Sequence, residues 1–158
     1  MIAFTIPRIV SSLAAVLSAQ YPDFPIFASA APQGVTPPCF FISLLPSSIS
    51  SRVGDGVFLR DIFVDVVFLQ QRNVLNANAK IQEVQEFLDY SLETFLYSDG
   101  ENSALIRTYE RQAQVQDMDL HYQFHIRQRV SLPENPNPME VLEENNVTVE
   151  EKGGGSAQ

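Results

Sequence analysis

One cysteine, two histidines, and ten basic residues against nineteen acidic ones are the scarcities of this 158-residue chain. The lone Cys39 has no partner in the chain for a disulfide. With His121 and His125 as the whole imidazole supply, the common four-ligand Cys/His zinc sets are out of reach. Zinc fingers and cysteine-rich scaffolds are excluded. A net charge of -9 has the wrong sign for gripping phosphates along an extended surface, which excludes a dedicated nucleic-acid binder. No run of about 18 apolar residues offers a transmembrane helix. The serines at 47, 48, 50 and 51 lack a G-x-S-x-G elbow, and Gly54-Asp55-Gly56 has neither the spacing nor the lysine of a phosphate-binding loop.

What is present is an ordinary globular composition, 45% hydrophobic and 18% charged, in a length that suits one domain. A chain of this size buries roughly two thirds of its open-chain surface on folding, so it needs no staple. The acidity is concentrated at the end. Residues 134–158 carry six glutamates against Lys152, a net charge of -5, with Pro136, Pro138 and Gly153 to Gly155 among them. This composition offers too little apolar surface to offset ordering, so the chain divides into a folded domain, 1–133, and an acidic tail, 134–158, unfolded in the free chain. Met139, Val141 and Leu142 are the anchor by which the tail would order on a partner.

Near the amino terminus, Ile6, Ile9, Val10, Leu13, Val16 and Leu17 follow a 3.6-residue stripe, with Arg8, Ser11, Ser12, Ala15 and Ser18 opposite. Thr5 is placed to cap this helix, and Pro7 is tolerated in its first turn. The stretch reads as a packed helix rather than a secretory signal, because no basic residue precedes Phe4 and Leu17 stands where cleavage wants a small residue. A short strand at Ile26 to Ala28 follows, then a proline-bearing loop from Ala31 to Pro38 and an apolar strand from Cys39 to Leu45. Ser47 to Gly56 reads as a ten-residue polar loop.

Val57 to Gln70 reads as one long strand of two unlike faces. Phe58, Ile62, Val64, Val66 and Phe68 form an apolar side for the helices to cover. On the other side Asp61 and Asp65 alternate with Phe63, Val67 and Leu69, as on a surface that meets another chain. A second helix is predicted over about 79–96, with Ile81, Val84, Leu88, Leu92 and Phe95 as its stripe and Asn76 or Asn78 as its cap; Ser98 to Asn102 would end it. A closing hairpin runs from Leu105 to Val115, turns at Asp117-Met118-Asp119, and returns to Leu132 with His121, Gln123, His125, Arg127 and Arg129 on its wet side. The fold class is α+β: a mainly antiparallel or mixed sheet with two amphipathic helices packed on one face.

Catalytic readings are thin. His121 and His125 lie about 13 Å apart on an extended strand, too far to share an ion unaided, and Asp119 with His121 has no third ligand. Asp61 and Asp65 are separated by the same spacing, which suits ion pairing better than paired acid and base work. Cys39 opens an apolar strand with no base beside it, the setting of a small buried thiol. No cofactor is called for. A metal-dependent or ligand-binding enzyme using Asp119, His121 and His125 stands as the alternative to an interaction protein. Eight arginines against Lys80 in the body favour planar pairing at protein interfaces.

The run Gln33-Gly34-Val35-Thr36-Pro37-Pro38-Cys39-Phe40-Phe41-Ile42, then Arg52, the long strand to Val67, one helix and the closing Asp117-Met118-Asp119-Leu120-His121 hairpin resemble the tail terminator proteins of tailed phages and phage-like particles. The resemblance spans residues 2–132. It implies a non-enzymatic virion protein, made in the host cytoplasm, that caps the head-proximal end of the tail tube as a homohexameric ring and joins the tail to the head-tail connector. The implied partners are sister subunits, the tail tube protein, the neck protein and, in contractile tails, the sheath. DNA would pass an acidic lumen without specific binding, and no membrane is involved. A ring needs heterologous contacts between unlike patches. The residues that fit are Ser50, Arg52, Val53 and Asp55 in the long loop, Arg60 after it, and Asp61 and Asp65 on the exposed strand face.

Overall fold

The computed structural model describes residues 4–28, 34–45, 49–54, 56–71 and 75–131. The predicted tail and the boundary at 133 lie outside the described residues. The order is α1 (Ile6–Gln20), β1 (Ile26–Phe27), β2 (Cys39–Leu44), β3 (Ile49–Gly54), β4 (Val57–Leu69), α2 (Ala77–Ser91), β5 (Thr94–Ser98), β6 (Ser103–Gln116) and β7 (Asp119–Ser131). The strands form one curled sheet in the order β1-β2-β4-β7-β6-β5, with β3 paired to β4 off that path. All pairings are antiparallel except β1 with β2, so the α+β layout holds as expected.

The spine is the β4–β7 ladder, twelve residue pairs from Val57↔Ser131 to Phe68↔Leu120. Opposed residues share a face. Thus Ile62, Val64, Val66 and Phe68 meet Ile126, Phe124, Tyr122 and Leu120 on one side, all at most 1% exposed. Helix α1 presses Ile9, Leu13 and Leu17 onto this layer, and α2 adds Ile81, Val84 and Leu88. Tyr21 and Phe24 stack at 5.2 Å between ring centroids, and Tyr21 meets Phe87 of α2 edge-on at 5.5 Å, which knits the two helices at that end.

Helix α1 is also tied to the edge strand. The Thr5 N–H donates to the Tyr97 hydroxyl (3.3 Å), and the Ser98 N–H donates to Ser12 Oγ (3.1 Å). Ser12, placed on the polar face by periodicity, is therefore buried with its oxygen satisfied. Thr5 occupies the cap position without a side-chain cap bond, and Asn76 does the same at α2 with a φ of 65°.

Two expectations are corrected. The stretch read as a polar loop contains β3, whose backbone pairs with the part of β4 that extends beyond β2. Its serines carry little strand preference, and the ladder offered by β4 overrides that. The second helix ends at Ser91, and Thr94–Ser98 is a strand. Phe95 and Tyr97 point inward while Thr94, Leu96 and Ser98 point out, an alternation of period 2 that the helical stripe had absorbed. Thr108 of β6 takes up the end of that helix: its hydroxyl donates to the Leu92 carbonyl and its N–H to the Glu93 carbonyl. Ser98 to Asn102 consequently turns a hairpin. The Asp99 carboxylate accepts the Glu101 and Asn102 N–H groups, and Gly100 supplies φ +96°.

Candidate interaction surface

The sheet face away from the helices is built by the odd residues of β4 and β7. The register sets Asp61 opposite Arg127, Phe63 opposite His125, Asp65 opposite Gln123 and Val67 opposite His121. Each aspartate reaches a diagonal neighbour as well. His125 Nδ1 lies 2.8 Å from Asp61 Oδ1, Arg127 Nε donates to Asp61 Oδ2 at 3.1 Å, and His121 Nδ1 lies 3.0 Å from Asp65 Oδ2. Between the two carboxylates Phe63 stacks on His125, centroids 4.4 Å apart and planes 9° from parallel.

The row continues onto β6. Arg127 also pairs with Glu110 and sits 5.4 Å from the Tyr109 ring centroid, while Gln112 and Gln123 bond at 3.2 Å. Glu110 stands at a bulge between Tyr109 and Gln112 with φ 53°, which re-aims its side chain. Burial pushes the Asp61 carboxyl up, but the hydrogen bonds from His125 and Arg127 outweigh it and hold the group below its ordinary value. The Arg127 contact likewise lowers Glu110, and Arg127 itself is raised by both acids. Asp65 is 6% exposed, and its Oδ1 has no hydrogen-bond partner among the described residues.

The predicted interface residues do not form one patch. Asp61 and Asp65 share the ion row, but Asp65, expected on an exposed strand face, is buried because β2 and β7 flank it on both sides. Arg52 and Val53 lie exposed on β3, Arg52 bonding the Gly54 carbonyl at 3.2 Å and Val53 at an irregularity in the β3–β4 register. Ser50 is backbone-paired with Arg60, and Asp55 lies outside the described residues. Arg60 projects on the opposite, helix-covered face, where its guanidinium donates to the Phe4 carbonyl. Exposed apolar side chains join the open face at Leu59 (45%), across from Arg129, and at Tyr109 (37%).

The residues offered for catalysis are engaged elsewhere. His121 and His125 hold different carboxylates, and Asp119 Oδ1 accepts the Gln70 N–H at 3.3 Å. Among the described residues no group of three His, Cys, Asp or Glu side chains is placed to hold a metal. Ser43 sits across from Asp65 on the side away from β7, so the carboxylate falls between serine and imidazole; a serine triad needs the imidazole in the middle. Cys39 is fully buried, and burial together with nearby Asp119 raises its thiol pKa, which leaves little thiolate. What the arrangement does chemically is present a charge-paired, partly aromatic surface. Sequence reasoning missed that His121, His125 and Arg127 are the partners of the two aspartates. The signal was there, because both strands alternate, and only the register was lacking.

A family model described as phage tail terminator protein matches residues 8–138, from α1 through the whole of β7. No curated protein matches the chain. Among solved structures ten chains match. One of them is 14% identical, covering 84% of this chain and 99% of its own, with a TM-score of 0.36, too low to establish a shared fold.

Proposed function

Because the chain belongs to the phage tail terminator family, we propose that it closes the head-proximal end of the tail tube as a ring of six identical subunits and presents the surface on which the head-tail connector docks. The family is structural and tail-associated, which is the coarse assignment; the ring, the tube and the connector are the reading built on it. The family match over every described strand and both helices carries this reading.

The open face supports it. Asp61, Arg127 and Glu110 are already paired within the subunit, so bringing a neighbour against Phe63 and Tyr109 removes apolar surface from water without stranding those ions, while Arg129, across from Leu59, is a cation that a neighbour's carboxylate could meet. Head-to-tail contact between this face and an unlike patch closes a ring if the rotation allows. Arg52 and Val53 of β3, exposed beside that face, are the next candidates for contact with sister subunit or tube. DNA threads the ring without specific contact, in keeping with a net charge of -9.

Negative-stain microscopy and light scattering of the purified chain, alone and mixed with sheared tail tubes, test this. Six-membered rings in solution or on tube ends are expected. A protein that stays monomeric at high concentration and leaves tube ends bare ends the proposal.

A further inference from the structure

Arg60 is a half-buried cation without a counter-charge among the described residues. One guanidinium nitrogen donates to the Phe4 carbonyl, and among the described residues Nε has no hydrogen-bond partner and no carboxylate lies within ion-pairing distance. Gln128, directly across on β7, has an Oε1 with no hydrogen-bond partner among the described residues, but a carboxamide does not neutralise a cation. Removing a cation from water without an anion is costly, so this position calls for a carboxylate. Arg129, exposed one residue further along β7, adds a second cation at the same end of the sheet.

The chain delivers acid to this place. Ser131 lies three residues beyond Gln128, and Glu134 three residues beyond Ser131. Three extended residues span roughly 10 Å, so a segment turning back after Ser131 brings Glu134 level with Arg60. An apolar groove begins next to that point. Ile6, Val10 and Ala14 of α1 face Ile26, Ile42 and Leu44 across a cavity of about 500 Å³. Ile6 is two residues past Phe4, whose carbonyl Arg60 holds. The tail lists its groups in the same order, first Glu134, then Met139, Val141 and Leu142. The five residue steps from Glu134 to Met139 reach about 17 Å, and the groove runs about 12 Å along α1.

We propose that the acidic segment beyond Ser131 docks on its own chain, with the Glu134 carboxylate at Arg60 and Met139, Val141 and Leu142 in the groove between α1 and the β1–β2 edge. The docking is independent of ring formation. A docked tail keeps Arg60 from other anions until a partner displaces it.

Cleavage of the full chain by a glutamyl-specific protease tests the docking. Cutting after Glu140, Glu143 and Glu144 is expected to be about tenfold slower than in Arg60→Gln or Ala14→Gln, a ratio equivalent to about 1.4 kcal/mol. Cutting of the wild type at the rate of a free peptide of residues 132–146 overturns the proposal. A second variant, Ala14→Cys with Val141→Cys, covers the case in which the first two fail to fold; Cys39 is buried and does not compete. Oxidation at low concentration should give an intrachain bridge. Interchain dimers would assign the groove to the tail of a second copy, and no bridge at all would remove the docking; either result refutes the proposal.

Discussion

The two faces of the sheet satisfy their side chains by different physics. Beneath the helices, Ile62, Val64, Val66, Phe68, Leu120, Phe124 and Ile126 are held by exclusion of water and close packing, with no polar atom to satisfy. On the other face the aspartates of β4 are matched to imidazoles and an arginine of β7, and apolar rings are interleaved between them. The first arrangement is non-directional and depends on volume. The second is directional and depends on register, and it leaves Leu59 and Tyr109 exposed. If this face meets a sister subunit, as proposed above, the paired groups Asp61, Arg127 and Glu110 need no compensation from the partner.

The largest expected effect separates the faces outright. Phe124→Ala, at a fully buried position, should cost about 3–5 kcal/mol in urea unfolding, while Phe63→Ala on the half-buried open face should cost less than half as much. Equal losses would mean that the open face is a second core.

Next comes an asymmetry within one pair. His121→Ala removes the imidazole that lies 3.0 Å from a carboxylate that is 6% exposed, and should cost about 2–3 kcal/mol. Asp65→Ala leaves behind an imidazole that water can reach, so it should cost about 1 kcal/mol. The reverse order would show that Asp65 is not the group in need of compensation.

A smaller effect appears on acidification. The Asp61 carboxyl is lowered in the folded state, so its contribution is fully present above the unfolded value near 3.9 and is lost as pH falls through the lower folded value. Asp61→Asn should therefore cost about 1 kcal/mol at pH 7, and the cost should vanish in strong acid. Chemical denaturation at a series of pH values reads this directly, and a cost independent of pH would assign the effect to packing. The smallest stability change is expected for Val53→Glu, within about 0.5 kcal/mol because Val53 is 52% exposed, yet ring formation should suffer if β3 is part of the contact. Rings at the wild-type level in that variant would move the interface away from β3.

The elements that could be read along the chain are those whose own residues repeat. The stripe from Ile6 to Leu17 marked α1, and the alternation from Val57 to Leu69 and from Leu120 to Val130 marked β4 and β7, because each period leaves a lasting imprint on where apolar side chains fall. The misread segments are those whose structure is imposed by a neighbour. Ile49 to Gly54 is a strand because β4 overhangs β2, and Phe95 was drawn into the helix because i, i+3 and i+7 spacing from Leu88 and Leu92 mimics a stripe when a strand begins on the same side. The chemistry of the open face divides the same way. Asp61, Asp65, His121, His125 and Arg127 could each be assigned to the polar alternation, whereas their pairing required knowing that Asp61 stands opposite Arg127.

By itself the sequence determined the class of fold, the long two-faced strand, the family likeness of the Gln33 to Ile42 run, and the concentration of acid beyond residue 133. All of these follow from local composition and short-range period, which the chain carries whether folded or not. Only the tertiary structure decided that Arg60 and Asp61, adjacent in the chain, serve opposite faces with unlike partners, one at the amino end of α1 and the other in the ion row. Neighbouring strand residues point to opposite sides, and the identity of what they meet is set by pairings dozens of residues away.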